Sequence, residues 1–324
     1  MTEVSNTEGG PRNALAVPAV RTPMTPLRRA FLRNAPGYMF LMPWLLGFFL
    51  LTLGPALASL YLSFTRYDLL TPPVWTGLNN YDYAFNSDRR LGNAMRVTFT
   101  YVLWSVPLKL AVALGLAIIL DKSVRGVSFY RATFYLPSLL GASVAIAVLW
   151  RQIFGVDGLV NTLLLLTTGW QGPSWVTHPK YSLITLIVLA IWQFGSPMII
   201  FLAGLRQVPQ DLYEAASMDG AGAWRQFYKI TLPMLAPVVF FNLVFQTIEA
   251  FKAFTQAYIV SGGQGGPIDS TLFYSLYLYN EAFANLRMGY ASALAWILLV
   301  IIGFFTAIAF ASSKYWVHYE DEGR

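Results

Sequence analysis

Few residues in this 324-residue chain could do chemistry, and they are widely spread. It has no cysteine, which excludes disulfides and thiolate metal ligands. Its two histidines, His178 and His318, are too few for a histidine-based metal cluster. Glu249 and Lys252 stand three residues apart, a spacing that pairs opposite charges on one helix face. Asn242 and Gln246 precede them at the same three-to-four spacing, so four polar groups share that face. Gln193 is a further amide inside an apolar run, and Lys109, beside Pro107, a further charge. Amides both donate and accept, which suits a hydroxyl-rich solute; holding neighbouring helices together is the plainer role. Glu249 and Lys252 also have two readings. A charge at mid-bilayer costs about 2.5–3.5 kcal/mol, which argues for an ion pair turned away from lipid. Near the end of a span, both side chains could instead snorkel to the surface.

The elements that carry these groups are apolar. The chain is 56% hydrophobic and 12% charged, about half the ~25% charge of a soluble domain. A span of ~30 Å of hydrocarbon needs about 20 apolar residues, and six segments meet that length: 38–62, 98–120, 133–154, 183–205, 233–254 and 289–312. Only helices satisfy every backbone group at such lengths in lipid. The expected fold is therefore an all-α polytopic bundle of six transmembrane helices. Gly195-Ser196-Pro197 should kink the fourth near its middle. Residues 1–36 read as a disordered tail without the apolar core of a signal peptide. The six-span body would occupy 37–313, and 314–324 a short C-terminal tail.

Charge placement sets orientation. With the N-terminus inside, 13 of the 22 Lys and Arg fall on the cytoplasmic side, seven outside and two within spans. That bias places both termini in the cytoplasm. The net charge of +6 is explained by these flanks, so lipid rather than nucleic acid is the expected partner.

The loop 206–232 between the fourth and fifth spans is the most structured-looking connector. Asp211 and Glu214 have capping-box spacing. Leu212, Ala215 and Ala216 would give a short helix with a small face, which Gly220 and Gly222 would stop by adopting positive φ. A second helical stretch, 223–229, presents Trp224, Phe227 and Tyr228 before Pro233. A compact helical pair with an aromatic knob suits docking into a groove on a soluble partner; Trp224 would equally suit a membrane-surface aromatic belt.

At these residues the chain resembles the inner-membrane permeases of binding-protein-dependent ABC importers, whose hallmark is E-A-A-x-x-D-G-A-x(8)-I-x-L-P. Here it reads Glu214-Ala215-Ala216, Asp219-Gly220-Ala221, Ile230 and Leu232-Pro233, without departure. "VWTGLNNYDYAF" (74–85), "RGVSFYRATFYLPSLL" (125–140) and "GGPIDSTLFYSLYLYNEAF" (265–283) are similar to further segments of the maltose-type carbohydrate branch. The resemblance implies a bacterial or archaeal cell-membrane protein that catalyses no covalent chemistry and binds no cofactor. It implies a second homologous permease, two ATPase subunits that bind ATP and magnesium, and an external solute-binding protein. The loop would couple to the ATPases, through Glu214 to Ala216, Asp219 to Ala221, Trp224, Leu232 and Pro233. Gln193, Asn242, Gln246 and Glu249 become candidates for the sugar path. A glycerol-phosphate-type solute belongs to the same branch.

One motif points elsewhere. Ser261-Gly262-Gly263-Gln264 resembles the signature by which ABC ATPases hold the γ-phosphate of ATP. Yet the expected topology puts it outside the membrane, and no G-x-x-x-x-G-K-[ST] loop exists to cradle phosphates. Gly265-Gly266-Pro267 with Thr271 resembles an external segment of sugar permeases instead, either shaping the outer mouth or forming a plain turn. An ion-driven transporter would show midplane ionisable groups and internal repeats, and a membrane enzyme a catalytic constellation; neither is evident.

Overall fold

The computed structural model describes residues 26–121, 126–141 and 143–317. Helices dominate, as they must where lipid offers the backbone no hydrogen bonds. Among the described residues the one sheet is a short antiparallel pair, Thr65–Arg66 with Val74–Trp75, in register Thr65 to Trp75.

Five helical spans are long and apolar enough to cross a membrane: Gly37–Ser63, Arg89–Asp121, Ser182–Leu205, Ala236–Ser261 and Met288–Trp316. A sixth arises if Ser128–Leu140 and Val144–Ile153, bent by 96°, count as one. The expected span 133–154 is therefore made of two helices. Ser143 caps the second, its hydroxyl accepting the Ile146 N–H at 3.3 Å.

The chain divides after Leu57. In the first unit the helix Pro26–Gly47 runs into a π-helical turn over Phe48–Leu53. Residues 26–36 are thus helical rather than part of a structureless tail; residues 1–25 of that expected tail lie outside the described residues. At the other end the last helix reaches Trp316, three residues past the expected boundary at 313, and 318–324 lie outside the described residues.

In the second unit, Ala58–Arg324, the helix Arg89–Asp121 is the central strut. Its first turns, with Leu91, Ala94 and Val97, share a buried cluster with Leu272, Phe273, Leu276 and Leu294. Its later turns, with Leu110, Ala113 and Ala117, pack on Met198, Phe201 and Leu205. Ala113 and Ala117 are fully buried; small residues let helices approach closely where lipid gives no hydrophobic drive to associate. This helix begins nine residues before the apolar run does, so Arg89, Arg90 and Arg96 lie on it rather than in a loop.

Two further spans are broken. The fourth parts at Gln193–Phe194 between Ser182–Trp192 and Gly195–Leu205. Pro197 falls in the first turn of the second piece, where a missing N–H costs nothing. The fifth parts at 252–254, between Ala236–Phe251 and Thr255–Ser261.

Candidate functional site

The three breaks meet. Ser138 Oγ donates to the Gln193 carbonyl at 2.9 Å and accepts the Ser196 N–H at 2.9 Å, satisfying backbone groups freed on both sides of the fourth span's break. Gln256, just past the break in the fifth, donates through Nε2 to the Gly141 carbonyl at 3.2 Å. Gly195 is required here: a Cβ would stand 2.7 Å from the Phe134 carbonyl oxygen and 2.8 Å from Tyr135 Cα. Irregular backbone at membrane depth is tolerated where it is buried in protein or lines a cavity. Here it borders a cavity of about 340 Å³.

Gln193, Gln246 and Glu249, three of the four path residues expected from sequence, line that cavity. Asn242 does not. It is fully buried one turn away, its Nδ2 donating to the Val238 carbonyl at 3.1 Å and its Oδ1 without a partner among the described residues. The i, i+3/i+4 face is real, but along it the cavity begins only at Gln246. Lys252 Nζ donates to Glu249 Oε1 at 2.9 Å. Helix resumes past the break at 252–254 and runs on to Ser261. Lys109 and Ser138 also line the cavity and were not among the expected site residues. A charge in an apolar span signals the first; nothing in the sequence distinguishes Ser138 from any other helix serine.

The loop between spans four and five is built from its caps. Its helix is Gln210–Met218, starting directly after Pro209, with no side-chain cap. Asp211 is therefore already inside the first turn and the expected capping box does not form; its charge still favours the helix N-terminus. The C-terminus is a Schellman turn: Ala221 N–H bonds the Ala216 carbonyl at 2.9 Å and Gly220 N–H the Ser217 carbonyl at 3.1 Å. Gly220 takes φ +75°, as expected, whereas Gly222 is extended at φ −68°, ψ 165° and opens the next helix. Ala216, Gly220 and Ala221 of the motif are thus the cap itself.

The second helical piece, Ala223–Gln226, is clamped to the first by Gln226, whose Nε2 donates to Ser217 Oγ and the Ala221 carbonyl at 2.9 and 3.0 Å. Tyr213 and Thr231 hydroxyls, 2.9 Å apart, close the loop's base. A π-helical turn over Phe227–Thr231 leads to Leu232 and Pro233, whose missing N–H cannot continue an α-helical ladder. Glu214, Ala215, Asp219 and Trp224 are all exposed. Trp224 stacks on Tyr228 at 6.0 Å and is 75% exposed, an aromatic knob beside a notch bordered by Asp219, Arg225 and Lys229.

The glycine-rich segment is a run of turns tied to the central helix. Ser261 ends a helix and Gly262 caps it in the left-handed region; Gly263, Gly265 and Gly266 beyond the cap also take positive φ. Ser261 Oγ accepts the Gly265 N–H at 3.1 Å, and Thr271 is buried. Asp269 forks onto Arg90 at 2.8 and 2.9 Å, tying the segment to the central helix. Beside it Asp88 caps that helix through Oδ1, accepting from Arg90 and Leu91 N–H, while Oδ2 takes the Tyr277 and Tyr290 hydroxyls.

A broken-helix cavity and a capped, exposed loop between two spans thus lie in one polytopic helical protein. Residues 83–315 match the family described as "Binding-protein-dependent transport system inner membrane component", and the chain belongs to that family of multi-pass ABC-importer permeases. It is 53% identical over 289 residues to the probable ABC transporter permease protein YesP of Bacillus subtilis (strain 168), covering 89% of this chain and 94% of that one. It is 30% identical to the lactose transport system permease protein LacF of Rhizobium radiobacter, covering 86% and 94%. Its fold is similar to a chain in the crystal structure of a bacterial alginate ABC transporter in complex with an alginate pentasaccharide-bound periplasmic protein. There the TM-score is 0.76 at 21% identity, with 89% of this chain and 96% of that one covered. Members of this family are transport subunits, not enzymes.

Proposed function

We propose that this chain forms, with a second homologous permease, the path by which a saccharide crosses the cell membrane. An external binding protein delivers the solute, and both termini face the cytoplasm. Two ATPase subunits, which hold ATP and magnesium, engage loop 206–232 from inside. The observation that carries the reading is the pairing of a rigid, exposed loop with a cavity bounded by helix breaks. A capped loop transmits a push without yielding, and segments joined at breaks can rearrange with little lost hydrogen bonding. Gln193, Gln246 and Glu249 face the solute, with Asn242 supporting their helix from behind. Glu214, Ala215, Asp219 and Trp224 form the docking surface; Ala216, Gly220, Ala221, Leu232 and Pro233 hold its shape. The glycine turns at 262–266 shape the outer mouth. LacF, a lactose permease by name, supports the saccharide class.

The test is uptake into vesicles carrying the complete transporter. Transport should need internal ATP and survive an uncoupler. Glu214→Lys should abolish it while the protein still inserts. Uptake that persists without ATP and collapses with the uncoupler would sink the reading in favour of ion coupling.

A further inference from the structure

The cavity between the helix breaks carries unbalanced charge. Its wall holds the ammonium groups of Lys109 and Lys252 against the single carboxylate of Glu249. Lys252 takes that carboxylate directly, at 2.9 Å. Lys109, half-buried on the central helix twenty residues past Arg89, has no hydrogen bond or ion pair to any described residue, and Glu249 acts on it only through space. Charges held inside apolar spans pair with something or mark a solute path.

The amides around it sharpen the point. Gln193 spends its Nε2 on the Leu189 carbonyl and Gln256 on Gly141. Gln246 is only 6% exposed, yet its amide bonds no described residue. One cation and one amide therefore face the same space with their valences open.

We infer that Lys109 is a specificity-determining residue and that the saccharide this path carries is anionic. Its carboxylate pairs with Lys109, and a neighbouring hydroxyl bonds the Gln246 amide. The inference rests on the cavity lying in the solute path. The cavity's volume of about 340 Å³ lies in the ~300–1,000 Å³ range of ligand pockets. Two ammonium groups against one carboxylate leave a single positive charge, which a carboxylate neutralises and a phosphate, at about −1.5 to −2, would exceed. A lysine point charge also holds its partner less rigidly than an arginine fork would, and a conducting site must release what it binds.

The experiment uses the complete transporter in vesicles and three probes on one scaffold: cellobiose, cellobiouronic acid and a cellobiose monophosphate. The parent should take up cellobiouronic acid at least tenfold better than cellobiose. Lys109→Met should cost the acid at least tenfold, through a higher KM, and cellobiose much less than that, while Lys109→Arg retains most of the preference. Gln246→Ala should lower uptake of the acidic and neutral probes alike. A transporter that prefers cellobiose, or whose preference survives Lys109→Met, overturns the inference. If Gln246→Ala still lowers uptake in that case, the cavity remains the path and only the anionic reading fails. If neither substitution alters uptake, the path reading fails as well. A Lys109-dependent preference for the phosphate overturns the carboxylate assignment. Loss of co-purifying subunits in both Lys109 variants makes the residue structural, which also overturns it.

Discussion

The Ser138 hydroxyl lies 2.9 Å from the Gln193 carbonyl oxygen, so a side chain of one broken segment closes the backbone gap in another. Ser138 Oγ in turn accepts the Ser196 N–H from across the break. Each such bond contributes about 1 kcal/mol net, and a buried group left unpaired costs about 1–3 kcal/mol. Ser138→Ala should therefore destabilise the purified subunit by about 2 kcal/mol, read as a lower midpoint in denaturant. Wild-type stability in this variant would mean that water replaces the hydroxyl and that the break needs no protein partner.

Gly220 sits at φ +75° with open space where a Cβ would go, so substitution there meets a conformational cost and no clash. For a residue with a side chain the left-handed region costs about 1–2 kcal/mol. Gly220→Ala should loosen the Schellman turn and reduce co-purification of the ATPase subunits. Gly220→Asn should retain more of it, because Asn tolerates that region. Equal behaviour of the two variants would argue that the turn's geometry is irrelevant to docking.

The motif loop was legible because its spacing is a cap: Ala216, Gly220 and Ala221 must stand where a helix stops and its carbonyls need partners. The capping box at Asp211 was misread because Pro209 sets the start of the helix first. Hydropathy located the spans but not their ends. The turns from Arg89 to Arg96 are polar in sequence and become helical through Asp88 at the cap and the Arg90–Asp269 fork, a partner 179 residues away. Gln193 and Gln246 were visible as amides in apolar runs. Which of them kept a free valence was not, since that depends on the neighbours each break brings in.

Tyr277 donates to Asp88 Oδ2 at 2.6 Å, and burial first, then this bond, pushes its phenol above the ordinary range. Tyr274 is raised as well, chiefly by burial. Above about pH 10 the unfolded chain releases these protons while the folded chain keeps them. Stability should thus be fully present below that pH and fall as pH rises further, by about 1.4 kcal/mol per pH unit for each such group. Tyr277→Phe should lower stability at neutral pH but flatten the alkaline decline relative to the parent. Identical slopes for the two proteins would show that Tyr277 ionises as freely folded as unfolded.

Trp224 separates docking from folding. Its ring is 75% exposed, so the folded subunit gains little from it beyond the stack on Tyr228. Surface substitutions of this kind usually stay within about 0.5 kcal/mol in stability. At an interface the balance reverses: a tryptophan anchor that becomes buried in a partner's groove is worth about 2 kcal/mol or more, some thirtyfold in affinity. Trp224→Ala should leave the unfolding midpoint of the isolated subunit unchanged, weaken ATPase binding by at least tenfold, and lower ATP-driven uptake in proportion. The competing role, a membrane-surface anchor, predicts a different split. Insertion or stability in lipid would suffer while the affinity for the ATPase stayed intact. Measuring both on the same variant decides between the two roles, because a knob seated in lipid is not available to a soluble groove.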